Sequence, residues 1–226
     1  MYGDNVTVVG FAGFCKSDII LYLSRILYVL GEKIAIVDRS TEQQLSFSVP
    51  IVPSSNNIFE YRGIDIYLRC NNTPLNDIPK NKYSVVFIDF GINPETYEDL
   101  SQIKALFIVT DCNKQHTIPL SIWLNNQTAR PVSIRIIRDI VSGKIRPRYI
   151  DSLLQAGQKT QMIAKYDFPI NEIDYSSRLL SQYDDVFPFA KISKEFKSML
   201  LDCITEIFEK DRNAAIKAIR KAQIGG

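Results

Sequence analysis

The stretch that decides the fold is "VTVVGFAGFCKSDIILYL", residues 6–23. An apolar run rich in β-branched residues comes first, then a glycine-containing turn, then a segment whose apolar residues recur at helical spacing. Strand, turn and helix in that order open an α/β fold. The turn "GFAGFCKS" matches the phosphate-binding pattern G-x-x-x-x-G-K-[ST] at Gly10, Lys16 and Ser17 and departs from it at Cys15. Gly10 lets the chain leave the strand sharply. Lys16 is long enough to reach β- and γ-phosphates, and Ser17, in the first helical turn, offers a hydroxyl to Mg²⁺. Two residues work against such a cradle. Cys15 puts a side chain where the backbone would wrap phosphate, and Asp18 puts a carboxylate at the positive end of the helix. The competing reading is a plain strand–helix turn in which Lys16 is solvated.

The alternation of short apolar blocks and helical stretches continues along the chain. Residues 6–9, 33–37, 83–89, 105–110, 132–137 and 161–164 read as buried strands: short, rich in Val and Ile, with little polar alternation, as when both faces are covered. Residues 17–30 read as a helix closed by Gly31. Residues 192–208 read as a second helix, with Ile192, Phe196, Met199, Leu200, Cys203, Ile204 and Ile207 on one face. "IFEYRGIDIY", residues 58–67, alternates about Arg62-Gly63 and predicts a hairpin or edge pair. The expected fold class is a doubly wound, mostly parallel sheet with helices on both faces.

Composition sets the outer limits. The chain has 226 residues, 46% hydrophobic and 23% charged, with a formal net charge of +2, which suits one globular domain with a sizeable core. Residues 1–226 are therefore read as a single unit ending in a basic tail, 209–226. No run approaches the roughly 18 apolar residues that span a bilayer. The first residues, with Asp4 ahead of a strand-like run, lack the form of a signal peptide. The 4 cysteines, Cys15, Cys70, Cys112 and Cys203, are widely spaced, and His116 is the sole histidine. That pattern speaks against a zinc site or a disulfide framework, and a cytoplasmic location is expected.

In an open α/β sheet, ligands sit at the carboxyl ends of the strands. "KIAIVDRS" ends its strand at Asp38, and "YSVVFIDFG" ends at Asp89-Phe90-Gly91, the form of a Walker B segment. Helix capping or turn formation is the alternative role for each aspartate.

With Lys16, Ser17, Asp38 and Asp89 in this order, the chain resembles the ParA/MinD group of P-loop ATPases, which includes the pilus-positioning TadZ proteins. That group's loop resembles G-K-G-G-x-G-K-[ST]. Gly10, Gly13, Lys16 and Ser17 are kept here, while Phe11 stands in place of the signature lysine, and Ala12 and Cys15 replace glycines. After the second strand the group resembles D-x-D-x-Q-x-x-L; "DRSTEQQL" keeps Asp38 and Leu45 but has Ser40 and Glu42. The resemblance implies a nucleotide site in which Gly10, Gly13, Lys16 and Ser17 hold ATP, Ser17 and Asp89 serve Mg²⁺, and Asp38 positions the attacking water. It covers the chain to about Phe168. No asparagine stands for the group's purine contact; Arg138-Asp139 lies nearby. The missing lysine would complete a nucleotide sandwich across a dimer, an electrostatic contribution that Phe11 cannot make. The resemblance thus implies a degenerate site with ATP and Mg²⁺ weakly held or vestigial.

The implied role is that of a positioning or assembly factor with protein partners in a membrane or pilus/secretion machine, with a homodimer as one state. The alternatives are a slow active ATPase switch and a DNA-binding partition protein. DNA contact would run through the basic segment 130–148, with Arg130, Arg135, Arg138, Lys144, Arg146 and Arg148, whose bland alternative is a solvated rim. The tail "RNAAIKAIRKAQIGG" reads as a frayed surface helix rather than a peripheral membrane anchor. Trp123 and His116 read as structural.

Overall fold

The computed structural model describes residues 6–50, 57–71, 77, 80–92, 100–128, 131–155, 161–183 and 189–224. The first strand β1 (Thr7–Gly13) leads into α1 (Ser17–Val29) and β2 (Ile34–Asp38). β3 (Ile58–Tyr61) and β4 (Ile64–Tyr67) follow, then β5 (Val85–Gly91), β6 (Ala105–Thr110) and α2 (Lys114–Asn126). The remainder is β7 (Val132–Ile140), α3 (Pro147–Leu154), β8 (Gln161–Pro169), α4 (Glu172–Leu180), α5 (Lys194–Glu206) and α6 (Arg212–Ile224).

These strands make one sheet in the order β3-β4-β2-β5-β1-β6-β7-β8. The β3–β4 pair is antiparallel and the other pairs are parallel. The expected α/β class is therefore what the chain adopts. β1 is central and pairs with β5 on one side and β6 on the other. Growth of the sheet reverses direction there, and this is where a doubly wound sheet opens a crevice at its carboxyl edge.

Side-chain alternation divides the core into two layers. Val9 and Phe11 of β1 face one cluster, shared with α1, α5 and α6. Val8 and Ala12 face the other, shared with α2 and α3. Phe11 is fully buried, stacked on Phe107 at 4.6 Å and edge-on to Phe87 at 5.5 Å. The hairpin turns at Arg62 (φ 53°) and Gly63 (φ 80°), both left-handed, as a mirror-image two-residue turn requires. α5 carries the expected apolar face, and its start is capped by Ser193, whose hydroxyl accepts from the Phe196 N–H at 3.2 Å.

Three expectations need correction. β1 does not stop at residue 9; it stays paired with β5 as far as Ala12 and with β6 as far as Gly13, where the absence of a Cβ allows the close approach to Val109. The basic tail is not a frayed surface helix. α6 packs on α1 through Ala215, Ala218, Ile219 and Ala222, all buried, since alanines allow close helix–helix approach. The basic segment 130–148 is not one exposed rim. Arg135 and Arg138 lie inside β7 and are buried, while Lys144, Arg146 and Arg148 are exposed; Arg130 lies outside the described residues. No helix among the described residues is long and apolar enough to cross a membrane.

Gly13 fixes how closely β1 approaches β6. Its φ is +112°, and a Cβ there would lie 1.8 Å from the Val109 carbonyl oxygen. Gly31 also has positive φ, +92°, but nothing lies within 4 Å of its missing Cβ. Gly31→Ala is expected to cost about 1 kcal/mol, the strain of a left-handed residue. Gly13→Ala must also displace backbone, and is expected to cost about 3 kcal/mol or more. Urea midpoints of the two variants test the ranking; equal losses would mean that the β1–β6 contact relaxes at little cost.

Candidate functional site

Three strand ends and the start of α1 meet at the carboxyl edge. Lys16 occupies the N-cap position of α1. Its side chain is 1% exposed, with Nζ 2.9 Å from Asp89 Oδ1 and donating to the Gly13 carbonyl oxygen at 2.5 Å. Asp38 and Asp89 are register partners on adjacent strands, and both are fully buried. Asp38 Oδ1 accepts from the Ser40 N–H at 2.9 Å, the Ser40 hydroxyl at 2.5 Å and Gln43 Nε2 at 3.4 Å. Asp89 Oδ1 also accepts from the Gly91 N–H at 2.9 Å. The second oxygen of each carboxylate, Asp38 Oδ2 and Asp89 Oδ2, is buried without a hydrogen-bond partner.

Two carboxylates and one ammonium in a dry site leave one uncompensated negative charge. Burial first, then the neighbouring Asp89, push the Asp38 carboxyl up to about 7, against the pull of the Ser40 donors and Lys16. Burial also raises Asp89, opposed chiefly by its ammonium partner Lys16. Both carboxyls are thus held above the usual carboxylate range, and the pair shares the proton that relieves the site.

The loop itself is short and already bonded. β1 is laddered to β6 as far as Gly13, and the Phe14 N–H donates to the Val109 carbonyl at 3.0 Å. A phosphate cradle needs these backbone amides turned toward the anion; here residues 10–13 are in the sheet. Cys15 takes a left-handed φ of 57°. From β7, Arg138 Nη1 donates to the Cys15 carbonyl and to Asp18 Oδ1, each at 2.7 Å, with its guanidinium 5.0 Å from the Phe196 ring centroid. Asp18 is thereby neutralised. On the other flank, Phe14 stacks on His116 at 3.9 Å, and His116 Nδ1 lies 2.9 Å from both oxygens of Asp111. Trp123 is fully buried in the core.

A polar cavity of about 230 Å³ opens beside the α1 start, lined by Cys15, Ser17, Asp18, Gln44, Phe47 and Arg178 among others. Arg178 Nη2 donates to Asp139 Oδ2 at 2.7 Å, while its Nη1 is buried without a partner. Lys16, Asp38 and Asp89 are thus brought together. Ser17 faces the cavity and, among the described residues, hydrogen-bonds neither aspartate. Gly10 and Gly13 serve sheet packing, a Cβ at Gly10 meeting the Phe90 ring at 2.7 Å. Ser40, Gln43 and His116 were not singled out from the sequence as parts of the site, and Arg138 was noted only as lying near the expected purine contact. The Ser two residues after a strand-end Asp was the one signal for the first three.

The fit to Mg²⁺ and to a nucleotide differs. The two open carboxylate oxygens at adjacent strand ends are the hard donors that Mg²⁺ takes. Among the described residues no group of three or more His, Cys, Asp or Glu side chains forms a metal centre. A triphosphate would have to draw Lys16 away from Asp89 and the Gly13 carbonyl, since the β1 amides as far as Phe14 are taken up by the sheet.

No family model matches the sequence, and no curated protein matches it. Solved structures do. A ParA family ATPase from Chlorobium tepidum TLS is 13% identical, with 97% of this chain and 98% of that one covered at a TM-score of 0.54. A McdA variant from Cyanothece in complex with ATP is 9% identical, with 99% and 98% covered at 0.53. A plasmid partition protein from Borrelia burgdorferi B31 bound to AMPPNP is 14% identical, with 96% and 99% covered at 0.50. At such identities the likeness is one of fold, and the fold is that of the ParA-type P-loop ATPases.

Two outcomes are expected of this cluster. Asp38 takes up its proton between its unfolded value, about 3.9, and about 7 in the folded protein. The folded state binds that proton more tightly, so the associated stability is complete below the lower value and lost as pH rises through the upper one. Asp38→Asn, in the presence of EDTA, should therefore raise the melting temperature at pH 8 and raise it by clearly less at pH 5, inside the window. An equal gain at both would place the proton elsewhere. Separately, Lys16→Met should destabilise by about 3–5 kcal/mol at neutral pH because Asp89 is left as an unpaired buried charge. Adding Asp89→Asn should recover most of the loss; additive losses in denaturant titrations would show the two side chains to be independent.

Proposed function

We propose that this chain is a degenerate, TadZ-like relative of the ParA/MinD ATPases. It acts as a cytoplasmic positioning or assembly factor through protein contacts, with ATP turnover absent or near background. Residues 1–226 would form one such unit. The observation that carries this reading is the buried Lys16–Asp89 pair, closed by the Gly13 carbonyl. To reach a phosphate, Lys16 would have to leave Asp89 charged and unpaired in a site with no water contact, a loss of several kcal/mol. The position aligned with the signature lysine adds to this. Phe11 points into the apolar core against Phe107, so no charge is offered across a dimer from that residue.

A second reading, a slow ATP-driven switch, is favoured by one specific observation: Lys16, Asp38 and Asp89 converge and two carboxylate oxygens stand open. In it, Gly10, Gly13, Lys16 and Ser17 would hold the nucleotide, Ser17 and Asp89 the Mg²⁺, and Asp38 the water, as the ATP and AMPPNP complexes of the two similar proteins encourage. That site would require β1 to release Gly13 from the ladder with β6.

A steady-state phosphate-release assay beside calorimetry with Mg-ATP separates the two. Turnover at background and dimer formation indifferent to Mg-ATP in light scattering are expected. Turnover above background that is lost in Lys16→Ala, or a monomer that dimerises only with Mg-ATP, would give the switch reading instead. Loss of one preorganised charge contact to a transferring phosphoryl group commonly lowers the rate about a hundredfold or more, so the difference is measurable.

A further inference from the structure

We infer that the groove between α2 and α3 is a docking site for an acidic, amphipathic segment of a partner protein. The assignment rests on the protein-contact reading above and names the chemistry of the partner. The groove encloses about 360 Å³, and Cys112, Thr117, Ile150 and Leu153 line its floor. Ile145 and Tyr149 complete the lining, yet they are 43% and 51% exposed, and Val141 on the loop leading there is 49% exposed. That is a contiguous apolar surface held open to water beside the sheet's carboxyl edge.

Its rim is cationic and uncompensated. Lys114 and Lys144 line the groove, and the exposed Arg146 and Arg148 follow directly on the loop and first turn of α3. Among the described residues none of these four makes an ion pair. The contrast with the other cations of β7 and α4 is sharp. Arg135 bonds Asp151 and Asp167, Arg138 bonds Asp18, and Arg178 bonds Asp139. The nearby carboxylates are already taken, Asp151 by Arg135 and Lys165, Asp111 by His116 and the Asn113 amide. The positive field over the groove is therefore left for a ligand.

The combination selects the ligand class. A nucleic-acid phosphate backbone would answer the lysines and arginines but bury none of Ile145, Tyr149 or Val141. An amphipathic peptide answers both: an apolar side chain enters the groove and acidic neighbours meet the rim. The site is also preformed. The Ser121 hydroxyl donates to the Leu153 carbonyl at 2.7 Å, tying α2 to α3, and Ile150 and Leu154 anchor α3 on the sheet at 2% and 1% exposure. Little ordering cost falls on this side of the contact.

The test is fluorescence anisotropy on the full chain, without nucleotide, using a labelled helical peptide of Glu, Leu and Phe with one apolar face. A scrambled peptide of the same composition and a labelled DNA duplex serve as controls. The patterned peptide should bind best. Lys144→Glu and Ile145→Ser, both on exposed side chains, should each weaken it about tenfold or more. Equal binding of the scrambled peptide, indifference to Ile145→Ser, duplex binding in place of peptide binding, or no binding at all would each overturn the assignment. The outcome is separable from the fate of the protein-contact reading. Nucleotide-independent complexes that persist while the peptide goes unbound sink the groove alone. A chain that binds the peptide and also turns over ATP keeps the groove and sinks the eroded site.

Discussion

A lysine ammonium with almost no access to water must find its charge answered by the protein, and in this chain Asp89 answers it. Removing an ammonium and a carboxylate from water costs several kcal/mol each, and only close pairing with further hydrogen bonds offsets it. Lys16 supplies both conditions through Asp89 and the Gly13 carbonyl. The rest of the edge follows. Gly13 must sit where its carbonyl meets Nζ, so β1 must run on that far. Asp38, one strand away, shares this buried site with Asp89, so burial and that second carboxylate push its carboxyl up to about 7.

The same logic repeats farther along the sheet. Arg138 reaches from β7 to the first turn of α1 and binds both Asp18 and the Cys15 carbonyl. It joins the late-sequence half of the fold to the loop at residues 14–16. Phe14 is clamped on the opposite side by His116, itself held by Asp111. The loop is thus fixed at the Cys15 carbonyl and its following helix by Arg138 of β7, and at the Phe14 ring by His116 of α2. Such a site is rigid, and rigidity here works against the rearrangement that a phosphate would demand.

Much of the architecture was legible because both-face burial leaves apolar blocks with sharp ends, and because Arg62-Gly63 marks its hairpin by turn chemistry alone. The meeting of Lys16, Asp38 and Asp89 was legible for the same reason, since all three close strands or open a helix. What was not legible depends on partners remote in sequence. Gly10 to Gly13 reads as a loop by composition, and only its contacts with Val109 and Phe90 show why glycines continue a strand. Arg135 and Arg138 read as surface charge until Asp18, Asp151 and Asp167 are brought to them. The alanines of α6 look too weak to anchor a helix, yet their small size is what lets it lie against α1.

The placement of β1 also bears on how the chain is made. Thr7 pairs with Val85 and Val9 with Ala105, so β1 has no sheet neighbour until β5 and then β6 have been synthesised. α1 waits longer still, since the buried residues of α5 and α6 that cover it are made after β6. Contacts of such sequence separation form slowly, and an apolar strand and helix left uncovered meanwhile are open to aggregation. Until β5, β6, α5 and α6 have been made, β1 and α1 therefore stay as uncovered apolar segments of the nascent chain.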